Sequence, residues 1–316
     1  MTQMNDAALA VEAHGLVKIF GDNRAVDGVD LSIPRGCIYG VLGPNGAGKT
    51  TTIRMLATLL KLDAGSAKIF GHDVQTKGHI VRQLIGVTGQ YASVDETLSA
   101  TENLVIFSRL HGLSSSAARK KAADLLEEFG LSEAARRPLS KYSGGMRRRL
   151  DLAASLIAEP PLIFLDEPTT GLDPRTRNQM WATIRRLVAN GSTVLLTTQY
   201  LDEADQLADR IAVIDRGQVI AEGTTRELKA KIGLASLELK IVDPSRLTDA
   251  QEILQNLLKV NVHLSENEML TAPMSDPEAI TDLLVALRTA SITLAEVSVK
   301  TPTLDEVFLS ITGENA

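Results

Sequence analysis

The residue pattern with the clearest chemistry is the octapeptide GPNGAGKT at residues 43–50, hereafter the phosphate loop. It fits G-x-x-x-x-G-K-[ST], in which glycines let successive backbone N–H groups point at phosphate oxygens. In this pattern Lys49 would supply a cation for the β and γ phosphates, and the Thr50 hydroxyl could hold Mg²⁺. A strand predicted at residues 37–42 and a helix at 50–60 complete the expected context. The loop predicts a nucleoside triphosphate ligand, although kinases, GTPases and motors share it.

Two adjacent acids, Asp166 and Glu167, follow a second apolar strand predicted at residues 162–165; we call them the acid pair. Parallel sheets bind ligands where their strands end, so this is a favourable place for a site. Asp166 is placed to hold Mg²⁺ or its water, and Glu167 to accept a proton from an attacking water. The alternative is structural: a helix N-cap and a first-turn acid after a strand.

A third segment, Ser143-Gly144-Gly145, precedes three arginines at residues 147–149 and a helix predicted at residues 150–158. The serine hydroxyl and free backbone N–H groups suit an anion, while a plain loop with a helix N-cap is the alternative. The arginines fit either a solvated helix face or a nucleic-acid patch.

Composition narrows the possible functions of the 316-residue chain. A net charge of −6 and an aromatic content of 3% disfavour nucleic acid as a partner. Cys37 is the only cysteine, which excludes an internal disulfide and a cysteine-rich zinc site, and we interpret it as a small buried hydrophobe. The sequence has no apolar run long enough for a membrane span and no secretory signal pattern, so we expect a cytoplasmic location.

The elements that must position these motifs indicate an α/β fold. Short apolar strands at residues 162–165 and 194–196, with helical patterns between them, are typical of central strands in a mostly parallel sheet. Alternation at residues 29–33 predicts an antiparallel strand. After residue 234 the pattern changes to the order βαββαβ, which suggests a small ferredoxin-like α+β sandwich.

In chain order the motifs are the phosphate loop, Gln90, Ser143-Gly144-Gly145, Asp166-Glu167, Gly171-Leu172-Asp173 and Thr197-Thr198-Gln199. This order resembles an ATP-binding cassette (ABC) ATPase over about residues 10–225, and the Ser-Gly-Gly segment separates that family from other phosphate-loop proteins. The tail LDEVFL at residues 304–309 is similar to that of the daunorubicin-resistance type of bacterial ABC export ATPase.

The resemblance implies a phosphate-loop cassette with a mostly parallel core sheet, an antiparallel β edge and a helical subdomain. The ATP-binding domain would cover residues 1–230, with the helical subdomain at about 91–158. Residues 235–316 would form a small C-terminal α+β domain for regulation or dimerisation.

The resemblance also implies a head-to-tail homodimer that sandwiches two ATP molecules. In each site the phosphate loop and Thr51 of one copy would face Ser143, Gly144 and Gly145 of the other, and Asp173 would cross the interface. Gln90 would touch Mg²⁺ or water and link to a membrane subunit. Phe20 lies where the family stacks an aromatic ring on adenine; core packing is the alternative. The expected ATP-binding residues include Gly43, Pro44, Asn45, Gly46, Ala47, Gly48, Lys49, Thr50 and Thr51.

Two positions depart from the family pattern. Met146 replaces the usual signature glutamine, and Gln199 replaces the usual switch histidine. A glutamine amide can donate a hydrogen bond to the γ-phosphate but cannot carry a proton, which leaves Glu167 as the main candidate base.

The expected function is an ATP-hydrolysing motor subunit of a bacterial exporter of drugs or lipid-like molecules. It would use Mg²⁺ and work with a separate membrane-spanning permease at the cytoplasmic side of the membrane. Two alternatives remain open at this point: a nucleotide sensor with weak hydrolysis, and a soluble ABC ATPase that takes no part in transport.

Overall fold

The structure is a computed structural model that describes residues 9–89, 94–231, 235–265, 269–274, 279–300 and 302–312. The chain forms two compact units, Met1–Thr225 (unit 1) and Arg226–Ala316 (unit 2).

Over the described residues, unit 1 is built from ten strands and seven α-helices. The strands are β1 (Leu9–Phe20), β2 (Asn23–Pro34), β3 (Ile38–Leu42), β4 (Ala64–Ile69), β5 (His72–Asp73), β6 (Ile85–Thr88), β7 (Leu162–Asp166), β8 (Thr193–Thr198), β9 (Arg210–Asp215) and β10 (Gln218–Gly223). The helices are α1 (Lys49–Leu56), α2 (Gly78–Leu84), α3 (Ala100–Leu110), α4 (Ser115–Glu128), α5 (Gly144–Ser155), α6 (Pro174–Ala189) and α7 (Leu201–Leu207). Helix α8 (Thr225–Ala230) follows at the boundary between the units.

The central sheet has six strands in the order β10-β9-β3-β8-β7-β6, and all neighbours except β9 and β10 run parallel. Strand β7 is buried along its whole length because both faces are covered. Leu162 and Phe164 pack into one hydrophobic cluster with α1, whereas Ile163 and Leu165 pack into a second one with α3–α6. The parallel core predicted from the apolar runs is therefore confirmed.

A separate antiparallel sheet has the order β2-β1-β4-β5. Strand β2 alternates between buried and exposed residues over its second half, as predicted from the pattern at residues 29–33. Valine and leucine side chains of this sheet join the same cluster as α1, so the sheet covers the helix that follows the phosphate loop.

Two predicted helix boundaries are wrong. The helix predicted at residues 50–60 ends at Leu56, because Thr58 adopts a left-handed conformation with φ 62°. The helix predicted at residues 150–158 instead runs from Gly144 to Ser155. Its first turn includes two glycines, which sequence propensity places in a loop, and it ends before the left-handed Glu159.

Unit 2 consists of β11 (Ala235–Ile241), α9 (Leu247–Leu258), β12 (His263–Leu264), β13 (Met269–Met274), α10 (Ala279–Thr289), β14 (Leu294–Lys300) and α11 (Leu304–Thr312). Its antiparallel sheet has the order β12-β13-β11-β14, the ferredoxin-like arrangement predicted from the βαββαβ pattern. Leu237 and Leu239 of β11 form one core with Leu254 of α9 and Leu283 of α10. In the described part of the chain, no helix is long and apolar enough to cross a membrane.

The environment of Cys37 gives a test of this packing. The thiol is half-buried and donates a hydrogen bond to the Pro34 carbonyl oxygen at 3.2 Å. Burial, assisted by the nearby charge of Asp209, raises its pKa from 9.0 to about 11. The reactive thiolate is therefore about 100-fold scarcer at pH 8 than in an unfolded chain. We expect iodoacetamide to modify the native chain about 100-fold more slowly than the chain in guanidinium chloride; equal rates would contradict this environment.

Candidate nucleotide-binding site

The phosphate loop connects the end of β3 to the start of α1, as predicted. At two positions of the loop only glycine fits, because the backbone of a neighbouring strand leaves no room for a Cβ atom. A Cβ atom on Gly43 would lie 2.1 Å from the Ile214 carbonyl oxygen, and one on Gly48 would lie 2.4 Å from that of Ala25. Gly48 also has φ 105°, a left-handed conformation that side chains disfavour. The loop is thus fixed against β9 and β2, with α1 beginning at Lys49.

Lys49 is buried, and its ammonium is held inside the loop that precedes it. Nζ donates hydrogen bonds to the carbonyl oxygens of Gly43 at 2.7 Å and Pro44 at 2.9 Å. It also lies 3.9 Å from Oε1 of Glu167. Burial lowers the pKa of Lys49, and the negative charges of Glu167 and Asp166 oppose that shift. The arrangement keeps a cation at the mouth of an N–H-rich loop, where a polyphosphate is expected.

Asp166 receives two hydroxyl groups from neighbouring elements. Its Oδ1 atom accepts hydrogen bonds from Thr50 Oγ1 at 3.0 Å and from Thr197 Oγ1 at 2.6 Å. Thr197 is the partner of Asp166 across the β7–β8 ladder. The carboxylate and the Thr50 hydroxyl are the oxygen ligands that Mg²⁺ prefers, so these two residues fit the predicted metal role.

Glu167 is buried and has φ 49°, an uncommon conformation for a residue with a side chain. Its backbone N–H donates to Thr197 Oγ1 at 3.1 Å, and its Oε2 atom accepts from Thr170 Oγ1 at 3.2 Å. Such strained residues persist where surrounding bonds determine their position, and they cluster at active sites. The predicted alternative, a first-turn acid of a helix, is wrong because α6 begins only at Pro174.

The signature loop, residues 143–145, lies at the N-terminus of α5. Ser143 caps the helix by accepting a hydrogen bond from the Met146 N–H at 3.3 Å. A Cβ atom on Gly145 would lie 2.4 Å from Cγ2 of Thr176, so the loop approaches the first turn of α6. Thr176 also donates to Asp173 Oδ2 at 2.6 Å, which lowers the pKa of that exposed carboxyl. Ser143 and Asp173 thus lie on neighbouring, exposed helix starts.

Both sequence interpretations of the three arginines are wrong. Their side chains are half-buried and turn toward backbone carbonyl groups of the same chain. Arg147 donates to the carbonyl oxygen of Leu139 at 3.1 Å, and Arg149 donates to that of Phe129 at 3.0 Å.

Arg148 makes the most extensive set of such contacts. Its guanidinium donates to the carbonyl oxygens of Gly89 at 2.6 Å, Asp166 at 2.6 Å, Glu167 at 2.9 Å and Pro168 at 3.2 Å. Because five N–H donors form one rigid plane, a single side chain connects the signature helix to the backbone of the acid pair. Burial lowers its pKa, and nearby acids oppose the shift.

The remaining predicted residues have different outcomes. Phe20 is 49% exposed, so the alternative of core packing is wrong. Phe20 pairs with Asn23 at the turn between β1 and β2. Ala25 follows two residues later in β2, and its backbone carbonyl lies close to Gly48 of the phosphate loop. Gln199 directly follows β8 and is half-buried. Gln90 lies outside the described residues.

The roles of Thr197 and Arg148 in holding the site were not predicted from the sequence. Thr197 is the second-last residue of β8, next to the acid pair, and its place in the Thr197-Thr198-Gln199 motif is a signal that the sequence offers. Arg148 had no comparable signal, because its carbonyl partners lie up to 59 positions away in the chain. Among the described residues, no group of three or more histidine, cysteine or acidic side chains converges as a separate metal site.

Family models match both units of the chain. The model described as ABC transporter matches residues 26–170. The model of the C-terminal domain of DrrA1-3-like ATP-binding proteins matches residues 223–312.

Curated relatives match over nearly the full length. The daunorubicin/doxorubicin resistance ATP-binding protein DrrA of Streptomyces peucetius is 56% identical over 97% of this chain and 93% of its own length. The doxorubicin resistance ATP-binding protein DrrA of Mycobacterium tuberculosis is 46% identical over 98% of this chain and 96% of its own.

Solved structures agree with the fold of unit 1. An ABC transporter cassette in its ADP conformation is 29% identical with a TM-score of 0.63, over 69% of this chain and 92% of that one. A dimeric cassette in a post-hydrolysis state, bound to ADP and phosphate, is 26% identical with a TM-score of 0.63, over 68% of this chain and 98% of that one. The chain belongs to the nucleotide-binding, ATP-hydrolysing subunits of ABC transporters, in the group of daunorubicin-resistance ATP-binding proteins.

Proposed function

We propose that ATP hydrolysis takes place where the phosphate loop meets the acid pair and drives export through a separate membrane-spanning permease. The observation that carries this proposal is the 3.9 Å separation between the Lys49 ammonium and the Glu167 carboxylate. Lys49 follows the loop that leaves the end of β3, and Glu167 directly follows β7; both strands end at the same edge of the parallel sheet. A cation for phosphate and a base for water are therefore neighbours.

The proposed reaction uses the chain's own groups in distinct roles. Backbone N–H groups of the loop bind the phosphates, and Lys49 stabilises the charge that develops on the γ-phosphate. Glu167 accepts the proton of the attacking water as oxygen bonds to the γ-phosphorus and ADP leaves. Gln199 donates a hydrogen bond to the γ-phosphate. Thr50 and Asp166, with Gln90, would hold Mg²⁺, which neutralises phosphate charge when bound.

We infer that the working unit is a head-to-tail homodimer. Ser143, Gly144 and Asp173 are exposed, as residues that meet a second copy must be. One structural relative is a cassette in a dimeric, post-hydrolysis state. The signature loop of one copy would complete the phosphate site of the other, with Phe20 stacked on adenine. Residues 1–230 would form the ATP-binding domain with its helical subdomain at about 91–158, and residues 235–316 the regulatory or dimerisation domain.

The cargo is assigned only as a class. Relatives are named for resistance to daunorubicin, doxorubicin and linearmycin, and for export of a Nod factor. We therefore propose a drug or lipid-like cargo, selected by the permease, with this chain attached at the cytoplasmic side of the membrane. Gln199 favours a second candidate, a nucleotide sensor with weak hydrolysis, because an amide cannot carry a proton at the switch position.

Replacing Lys49 with alanine tests the phosphate loop. Loss of the buried cation should weaken ATP binding by about 100-fold or more, since removing one side of a desolvated charge contact is costly. Titration calorimetry of the variant against Lys68→Ala, which removes an exposed lysine of β4, makes the comparison. Unchanged affinity in Lys49→Ala would contradict the assignment.

Glu167→Gln tests the proposed base. The amide keeps the size of the side chain but cannot accept the proton, so turnover should fall about 100-fold or more while ATP still binds. ATP should then hold the variant as a dimer, measured by light scattering after size-exclusion chromatography. Glu133→Gln, an exposed site, is the matched control. Normal phosphate release from Glu167→Gln would exclude Glu167 as the base.

Arg148→Met tests Arg148 as a positioning residue. Without the four carbonyl contacts, the acid pair should lose its alignment, and turnover per bound ATP should fall about tenfold with little change in KM. Arg119→Met on the exposed face of α4 is the control. A purely structural role would instead reduce the fraction of chains that bind ATP and leave turnover per occupied site unchanged.

A further inference from the structure

Strand β14 forms an edge of the unit 2 sheet. One side of the strand pairs antiparallel with β11 from Ser236 to Ile241. Among the described residues, no strand pairs with its other side. An edge of this kind presents unpaired N–H and C=O groups that another strand can use.

The side chains of β14 divide between two faces. Val297 and Val299 stand opposite Leu239 and Leu237, two buried core residues of β11. Yet Val297 is 40% exposed and Val299 is 44% exposed. The apolar side of the sheet therefore continues to the edge strand without being fully covered there.

The other face of the strand carries a glutamate and a lysine, with a serine between them. Glu296 stands opposite Lys240 of β11, and Ser298 stands opposite Glu238. Lys300 lies next along the strand, and its Nζ contacts Glu238 Oε2 at 2.8 Å. Glu296 thus stands directly across from a lysine of β11, and Lys300 reaches a glutamate of β11 diagonally.

We propose that a second copy of this chain adds its own β14 antiparallel to this edge, with the two-fold axis at Ser298. This register places Glu296 of each copy opposite Lys300 of the other, and Val297 opposite Val299. Opposite charges and β-branched residues directly across from each other are the favourable pairs of antiparallel strands. Both uncovered valines would be buried, and the two sheets would continue as one.

Other registers lose this complementarity. A shift of one residue puts Val297 opposite Ser298, which mixes the apolar and polar faces. Centring the axis on Val297 pairs Glu296 with Ser298, and centring it on Val299 pairs Glu296 with Pro302. Only the register centred on Ser298 pairs both charges and both valines. Because it uses no residue of the nucleotide site, this contact forms without ATP and does not rest on the proposed function.

The test uses the full chain without nucleotide, with its association constant measured by sedimentation equilibrium at low salt. We expect a dimer that Glu296→Lys weakens about tenfold, because both symmetry-related pairs then become Lys–Lys. Glu252→Lys, the same charge change on the exposed side of α9, is the control and should have no effect. A chain that stays monomeric up to about 100 µM, well above ordinary solution affinities for stable dimers, would overturn the proposal.

A mixing experiment tests the register itself. Lys300→Glu alone should also associate weakly, because it makes two Glu–Glu pairs. When the Glu296→Lys and Lys300→Glu variants are mixed, both cross-strand pairs of the mixed dimer again join a lysine of one variant to a glutamate of the other, so dimerisation should return. Circular dichroism of each variant checks that unit 2 remains folded. Failure of the mixture to associate, with both variants folded, would contradict pairing through β14.

Discussion

The site depends on keeping the ammonium group of Lys49 charged in a buried position. Taking a lysine out of water is costly unless hydrogen-bond acceptors and negative charge replace the lost hydration. The carbonyl oxygens of Gly43 and Pro44 supply the acceptors, and Glu167 supplies the charge. These partners can converge only if β3 and β7 end at the same edge of the sheet. The parallel arrangement is therefore an electrostatic requirement of the site as well as a packing solution.

Strand β7 is both a buried core strand and the element that ends in the acid pair. Alternate residues of this strand enter two different hydrophobic clusters, which fixes its position from both faces. The Thr197 hydroxyl of β8 forms hydrogen bonds with the Asp166 carboxylate and with the Glu167 backbone N–H. Arg148 of α5 donates a hydrogen bond to the Asp166 carbonyl oxygen in the same segment. The acids are held by neighbours on two sides, so their relative positions depend on the sheet and on the signature helix together.

Much of the fold could be predicted because the determining signals are local. The apolar run at residues 162–165 is long enough for a central strand. The glycines of the phosphate-loop motif identify the turn at residues 43–50. The start of α5 was missed because Gly144 and Gly145 have low helix propensity; a tertiary contact with Thr176 favours the small size of Gly145. The contacts of Arg148 were missed for a related reason: its partners come from other segments of the chain. The roles of the site residues stay predictions, those of Lys49, Thr50, Asp166 and Glu167 as well as those of Gln90, Ser143, Asp173, Phe20 and Gln199.

The left-handed backbone at Glu167 has a consequence for how this sequence can change. Glycine or asparagine would adopt that conformation at lower energetic cost, but either residue would leave the buried Lys49 ammonium without its carboxylate partner at 3.9 Å. The glutamate at this position has an unfavourable backbone conformation, and it provides the carboxylate that the site uses. A substitution that relaxes the backbone at this position would also remove the group proposed to activate water.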